Sequence, residues 1–153
     1  MRFRNREEPV FRAESSERAR VLFVCLGNAC RSQMAEGFAR AWHADILQAE
    51  SAGITPLGMV PEETAASMAE KDVLLDGHRS KGLDAFDLRS FDVIVNMSGF
   101  PFPPSLRKAV QILEWEVEDP YTGNERTYRR VRDDIERRVR AFADGIRRNG
   151  IPS

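Results

Sequence analysis

The stretch Val21-Leu22-Phe23-Val24-Cys25-Leu26-Gly27-Asn28-Ala29-Cys30-Arg31-Ser32 changes character twice. Val21 to Val24 is an unbroken apolar run, the mark of a strand covered on both faces, and it stops at Cys25. Beyond the loop the period changes: Met34, Phe38, Ala41 and Trp42 share one face of a helix that begins near Arg31 or Ser32. A loop between a buried strand and a helix lies where backbone amides and the positive helix end can surround an anion. Cys25 opens this loop and Arg31 closes it. Curled around a tetrahedral oxyanion, residues 26–30 would present their amides, Cys25 would place its sulfur beneath the central atom, and Arg31 would clamp two oxygens with its planar fork. A thiol in that field ionises readily. Gly27 and Asn28 both tolerate the left-handed backbone of a tight loop. A lone Cys and Arg at this spacing also fit a packed thiol and a surface charge; the strand-loop-helix setting favours the anion site.

Working outward, Ile46 to Ser51 reads as a second strand, Ala52 to Pro61 as a loop, and about Glu62 to Lys71 as a helix. Asp76-Gly77 marks a turn. A short helical piece near Lys81 to Phe86 leads to a third buried strand over Asp92 to Met97. Pro101 to Pro104 breaks the chain before a short helix, and Gln111 to Val117 gives a fourth strand. Tyr128, Val131, Ile135, Val139, Phe142 and Ile146 then repeat at helical steps. Strands alternating with helices predict an α/β fold with a parallel sheet and right-handed crossovers. A chain of 153 residues suits one domain, here residues 20–153, preceded by a mixed-charge extension over residues 1–19.

Apolar residues at 42% and charged residues at 31% exclude disordered, collagen-like and coiled-coil chains. Lys plus Arg is 23 and Asp plus Glu is 24, so 23 − 24 = −1, which points to neither nucleic acid nor an acidic membrane as partner. The arginines of the last helix read as an internally paired face: Glu125, Asp133, Asp134 and Glu136 stand four residues before Arg129, Arg137, Arg138 and Arg140. No apolar run is long enough for a membrane span or secretion signal, so a cytoplasmic location is expected. Two cysteines form no disulfide framework, and His43 and His78 fit no metal spacing. No metal or cofactor is expected.

The segment Cys25-Leu-Gly-Asn-Ala-Cys-Arg-Ser-Gln-Met-Ala-Glu36 resembles the active-site loop of the low-molecular-weight protein tyrosine phosphatases and of the related thioredoxin-type arsenate reductases. The likeness continues through Ser51-Ala-Gly53, Gly77-His-Arg-Ser80, Asp92-Val-Ile-Val95 and Glu118-Asp-Pro-Tyr121, covering about residues 20–148. It implies a flavodoxin-like three-layer sandwich, a four-stranded parallel sheet with helices on both faces. It also implies roles: Cys25 as nucleophile, Arg31 as phosphate clamp, Ser32 as the hydroxyl that steadies the thiolate, Asn28 and Ser51 as loop supports, and His78 as a framework histidine. Asp119 resembles the general acid. A phenolate leaving group, with a conjugate pKa of about 10, needs the proton such a residue delivers. Tyr121 would stand at the substrate rim.

The reading placed first is hydrolysis of phosphomonoesters, a phosphotyrosine protein or a small aryl phosphate, through a cysteinyl-phosphate. Its rival is arsenate reduction with an external thiol or redoxin as reductant, and a phosphate-binding module without turnover ranks last. Gln33 and the following Met-Ala-Glu-Gly-Phe38 are closer to the reductases, whereas Asp119-Pro-Tyr-Thr-Gly123 fits the phosphatases. The reductases' resolving cysteine pair is absent from Val95-Asn-Met-Ser-Gly-Phe100. An in-chain shuttle of three thiols is therefore excluded, and Cys30 or an outside thiol would have to attack. The resemblance also gives Cys30 a use as partner in a protective disulfide with Cys25.

Overall fold

The computed structural model describes residues 18–152. The extension expected over residues 1–19 lies outside them apart from Arg18 and Ala19, and Ala19 is already the first residue of a strand. Four strands, β1 Ala19–Cys25, β2 Leu47–Gly53, β3 Val93–Asn96 and β4 Gln111–Glu114, form a parallel sheet in the order β2-β1-β3-β4.

β1 is interior because both its faces are apolar: Val21, Leu22, Phe23 and Val24 have no exposed surface. Its alternate side chains feed two cores. Val21, Phe23 and Cys25 join Met34 and Phe38 of α1 (Arg31–Trp42) and Val131, Ile135 and Val139 of α4 (Glu125–Asn149). On the opposite face, Leu22 and Val24 meet Phe102, Leu106 and Val110 around α3 (Pro104–Ala109). Helix α2 (Glu62–Ala69) packs on the α1 and α4 side through Met68. These are the three layers of a flavodoxin-like sandwich, and the loop after β1 opens at the C-terminal edge of the sheet, where such folds bind ligands.

Several elements end earlier than their residue patterns predict. β4 stops at Glu114 rather than Val117 because its partner β3 ends at Asn96, so the ladder has nothing further to pair with. α2 ends at Ala69 because Asp72 takes a left-handed backbone (φ 61°) that turns the chain. Residues 81–86 hold one 3-10 turn, Leu83–Ala85, and a second follows at Leu88–Ser90. α4 starts ahead of its apolar repeat because Asn124 caps it, its side chain accepting from the Thr127 amide at 2.9 Å. Three of the four ion pairs expected along α4 form, Glu125–Arg129, Asp134–Arg138 and Glu136–Arg140. Asp133 instead meets Arg132 at 2.9 Å, and Arg137 turns to Asp134 at 3.7 Å. No described helix is long and apolar enough to cross a membrane.

Candidate active site

The loop between β1 and α1 is tied down from outside by its carbonyls. Those of Cys25, Leu26 and Gly27 accept from the amides of Ile54, Thr55 and Leu57 at 2.8–3.1 Å, and that of Asn28 accepts from Gln33 Nε2 at 3.2 Å. The amides of Gly27, Asn28, Ala29 and Cys30 find no protein acceptor among the described residues. Carbonyls turned out and amides left open make an anion nest at a helix N-terminus. Asn28 alone in the loop takes the left-handed backbone (φ 49°). The expectation that Gly27 shares this role fails, since Gly27 does not adopt positive φ and a Cβ there would meet its nearest neighbour at an ordinary 3.7 Å.

Cys25 sits at the floor of this nest with two donors on its sulfur, Ser32 Oγ at 2.9 Å and Ser32 N at 3.4 Å. The direction of the first bond follows from its neighbours. Asn28 Oδ1 accepts from the Lys81 amide at 2.8 Å, so the Asn28 NH2 faces Ser32 Oγ (2.8 Å) and Ser51 Oγ (2.9 Å). Ser32 Oγ thus receives one proton from Asn28 and turns its own to the sulfur, and both donors stabilise negative charge there. Ser51 is fully buried and donates to Glu36 Oε1 at 2.5 Å.

Arg31 is buried, and its Nη1 donates to the carbonyls of Met97 (2.7 Å) and Val117 (3.2 Å). Its Nη2 lies 3.4 Å from Asp119 Oδ2, and its buried Nε has no partner among the described residues. Asp119 is held from its other oxygen by the Tyr121 amide at 3.1 Å. Cys25, Arg31, Asp119 and Tyr121 line one cavity of about 280 Å³ together with Leu26, Gly27, Ala29 and Cys30 of the loop and with Thr55 and Leu57. Tyr121 is exposed at its rim.

His78 reaches the loop only indirectly. Its Nδ1 meets Gln33 Oε1 at 2.8 Å, and Gln33 Nε2 donates to Asn28 Oδ1 (3.1 Å) and Arg79 O (2.9 Å). Gln33 Oε1 only accepts, so Nδ1 carries the proton; burial holds this imidazole below its usual pKa. Cys30 is a free thiol 3.6 Å from the Tyr128 hydroxyl, and burial pushes it up from its ordinary value. Three further members, Gln33, Glu36 and Lys81, have no support role in the sequence reading. Glu36 is 4% exposed and pairs with Arg40 at 2.8 Å. Among the described residues no group of His, Cys, Asp or Glu could hold a metal ion.

A three-layer α/β fold whose first loop leaves its amides open over a cysteine and closes with an arginine has the form of an oxyanion-binding site. The family model described as "Low molecular weight phosphotyrosine protein phosphatase" matches residues 20–101 and 105–151, and the chain belongs to that family. An arsenate reductase 2 of Staphylococcus saprophyticus is 33% identical over 130 residues, covering 81% of this chain and 95% of the relative. A glutaredoxin arsenate reductase of Synechocystis is 32% identical over 122 residues, covering 78% and 92%. A solved structure of an arsenate reductase in the phosphate-binding state superposes with a TM-score of 0.78 at 31% identity, covering 84% of this chain and 98% of that one.

Proposed function

We propose that this chain reduces arsenate at Cys25 with a thiol supplied from outside. The observation that carries the reading is the open nest above a sulfur that already receives two donors, in a cavity that Arg31 also lines. The relatives' names favour arsenate, which moves the rival of the sequence analysis ahead of hydrolysis. The Cys25 thiolate attacks arsenic and water leaves, giving a sulfur–arsenic bond. An external thiolate then attacks the Cys25 sulfur; the S–As pair passes to arsenic, which departs as arsenite, and a mixed disulfide remains. A second thiol frees Cys25 as the disulfide of the donor forms, so two thiols supply the two electrons. Cys25 and Cys30 are the chain's two cysteines. Cys30 is poorly suited to attack, because its sulfur is buried, faces Tyr128 and is held in the thiol form. A small thiol or a redoxin is the fitting reductant.

Phosphomonoester hydrolysis is the second reading, and Asp119 favours it. Its carboxyl stands in the same cavity as Cys25 and Arg31. There it would protonate a leaving alkoxide or phenolate and then activate water against the cysteinyl-phosphate. One preparation tests both readings: arsenite formation with a thiol tripeptide, a glutaredoxin and a thioredoxin, beside hydrolysis of p-nitrophenyl phosphate. Thiol-dependent arsenite formation, abolished by Cys25→Ser, is expected. Hydrolysis without arsenite from any donor would overturn the first reading in favour of the second.

A further inference from the structure

Everything that the nest turns toward an oxyanion is a donor. The amides of Gly27, Asn28, Ala29 and Cys30 have no acceptor among the described residues, and a guanidinium such as that of Arg31 carries no acceptor atom. The carbonyls of Cys25, Leu26 and Gly27 face the amides of Ile54, Thr55 and Leu57 instead, and that of Asn28 takes Gln33 Nε2. Amides and arginine alone therefore treat alike any two tetrahedral anions of one size and charge. Asp119 breaks that indifference. Among the described residues that line the cavity of Cys25 and Arg31, it brings the one carboxylate, a group that accepts and does not donate. Its Oδ2 stands 3.4 Å from Arg31 Nη2, beside the guanidinium that must hold the anion, and its Oδ1 accepts from the Tyr121 amide at 3.1 Å. The hydroxyls of Thr55 and Tyr121, in the same lining, both donate and accept, so they suit an oxygen with or without its proton.

We propose that Asp119 is a specificity-determining residue: its carboxylate makes the site choose oxyanions that still carry a proton, arsenate and phosphate, over protonless ones such as selenate and sulfate. The proposal rests on Cys25 and its nest being the site of the arsenate chemistry proposed above. At about pH 8 hydrogen arsenate and hydrogen phosphate bear two negative charges and one proton, whereas selenate and sulfate bear the same charge and no proton. Three oxygens of a bound anion face the donors of the nest, where a proton would oppose an amide or guanidinium hydrogen. The fourth points away from the Cys25 sulfur into the cavity. That oxygen is the one free to carry the proton, and Asp119 is the group in the lining that accepts it. A protonless anion turns a bare oxygen to the carboxylate, like charge against like charge, and binds only against that repulsion or once a proton has been brought to Asp119. Selection of this kind works through the rejected anion as much as through the favoured one.

The test is calorimetric titration of the full chain carrying Cys25→Ala, which removes the charge and chemistry of the sulfur, with arsenate, selenate, phosphate and sulfate at about pH 8 and one fixed ionic strength. Arsenate with selenate, and phosphate with sulfate, are pairs matched in size and charge that differ by the proton. The Cys25→Ala parent should bind the protonated member of each pair more tightly by on the order of 10–100-fold, the worth of a hydrogen bond to a charged group. Adding Asp119→Asn supplies an amide that both accepts and donates, and should bring the members of each pair to within about threefold of one another. Asp119→Ser, neutral and equally able to do both, should do the same. Equal tightening of all four anions in these variants would mean a carboxylate that merely competes for Arg31, and would overturn the proposal. A parent that binds selenate as tightly as arsenate would also overturn it. Binding of none of the four anions by the parent would overturn the nest, and the proposed function with it. Thiol-dependent arsenite formation by the wild type beside absent selectivity would overturn the role of Asp119 alone.

Discussion

Replacing Gly53 by alanine should damage the site without touching any reacting group. Gly53 ends β2 in register with Cys25, and a Cβ there would stand 2.7 Å from Asn28 N, 2.9 Å from Gly27 C and 2.9 Å from Leu26 O. Ordinary Cβ contacts begin at 3.4 Å, so the deficits are 3.4 − 2.7 = 0.7 Å and 3.4 − 2.9 = 0.5 Å. All three atoms are backbone of the anion loop and cannot rotate aside. β2 cannot readily withdraw either, because the Gly53 amide is bonded to Lys81 O. Such overpacking costs about 1–3 kcal/mol. At this chain length each kcal/mol lowers the melting temperature by about 2–4 °C, so a fall of roughly 2–12 °C is expected. A misplacement of about 1 Å can cost ~10²-fold in rate, and half that shift roughly 10-fold in kcat/KM. Calorimetry and steady-state rates measure both. Gly37→Ala is the control: its Cβ would press on Leu75 Cδ2 at 2.9 Å and Met68 Cε at 3.0 Å, the free ends of side chains that can move. Alanine also gains about 1 kcal/mol of helix propensity there. Turnover should stay near wild type in that variant. Full activity in Gly53→Ala, or equal loss in Gly37→Ala, would refute the displacement argument.

Asp119→Asn should depress any hydrolysis of phenyl phosphate by about 10²–10⁴-fold. The loss should be smaller for activated aryl phosphates, and thiol-driven arsenite formation should be largely spared; equal loss on all three substrates would contradict the acid role. Limiting iodoacetamide at neutral pH should modify Cys25 before Cys30, whose thiol burial pushes up; peptide mapping that finds equal labelling would count against the assignment of the reactive sulfur. Burial lowers the pKa of both His43 and His78 from an ordinary 6.5. Below about 6.5 the unfolded chain therefore binds more protons than the folded one, and stability present above that pH is lost as pH falls toward the folded values. The melting temperature should decline over that acidic window, and His43→Gln should flatten part of the slope; a melting temperature that holds or climbs there would be the wrong sign.

The loop and its flanks were legible in the sequence because their physics is local. An apolar run ending at Cys25 and a helical period from Met34 place the loop without tertiary information, and β1 and α1 bracket it as expected. Glu36 was not legible as a buried group. A charged residue on an amphipathic helix reads as solvent-facing, and only Ser51 of β2 and the segment carrying His78 and Lys81 make this position interior. Lys81 was hidden for the same reason, since its partners other than Arg79 lie 28 residues or more away along the chain. Residue type alone lets both Gly27 and Asn28 take a left-handed backbone; only Asn28 does so, and its side chain makes bonds to Ser32 and Ser51 that a glycine cannot.

The two carbonyls that hold Arg31 give it a second occupation. Met97 follows β3 and Val117 follows β4, so one guanidinium rivets the ends of two strands to the start of α1. Loss of Arg31 would orphan both carbonyls in a buried place as well as disarm the nest. Selection for a sound scaffold and selection for chemistry therefore bear on the same side chain. A descendant that had abandoned catalysis would still be pressed to keep the arginine, and its persistence in a relative is weak testimony of activity. Asp119, 44% exposed and fastened among the described residues only by Tyr121 and Arg31, carries little of the scaffold. It would drift first, and its presence is the better sign that a chain with this loop transfers protons.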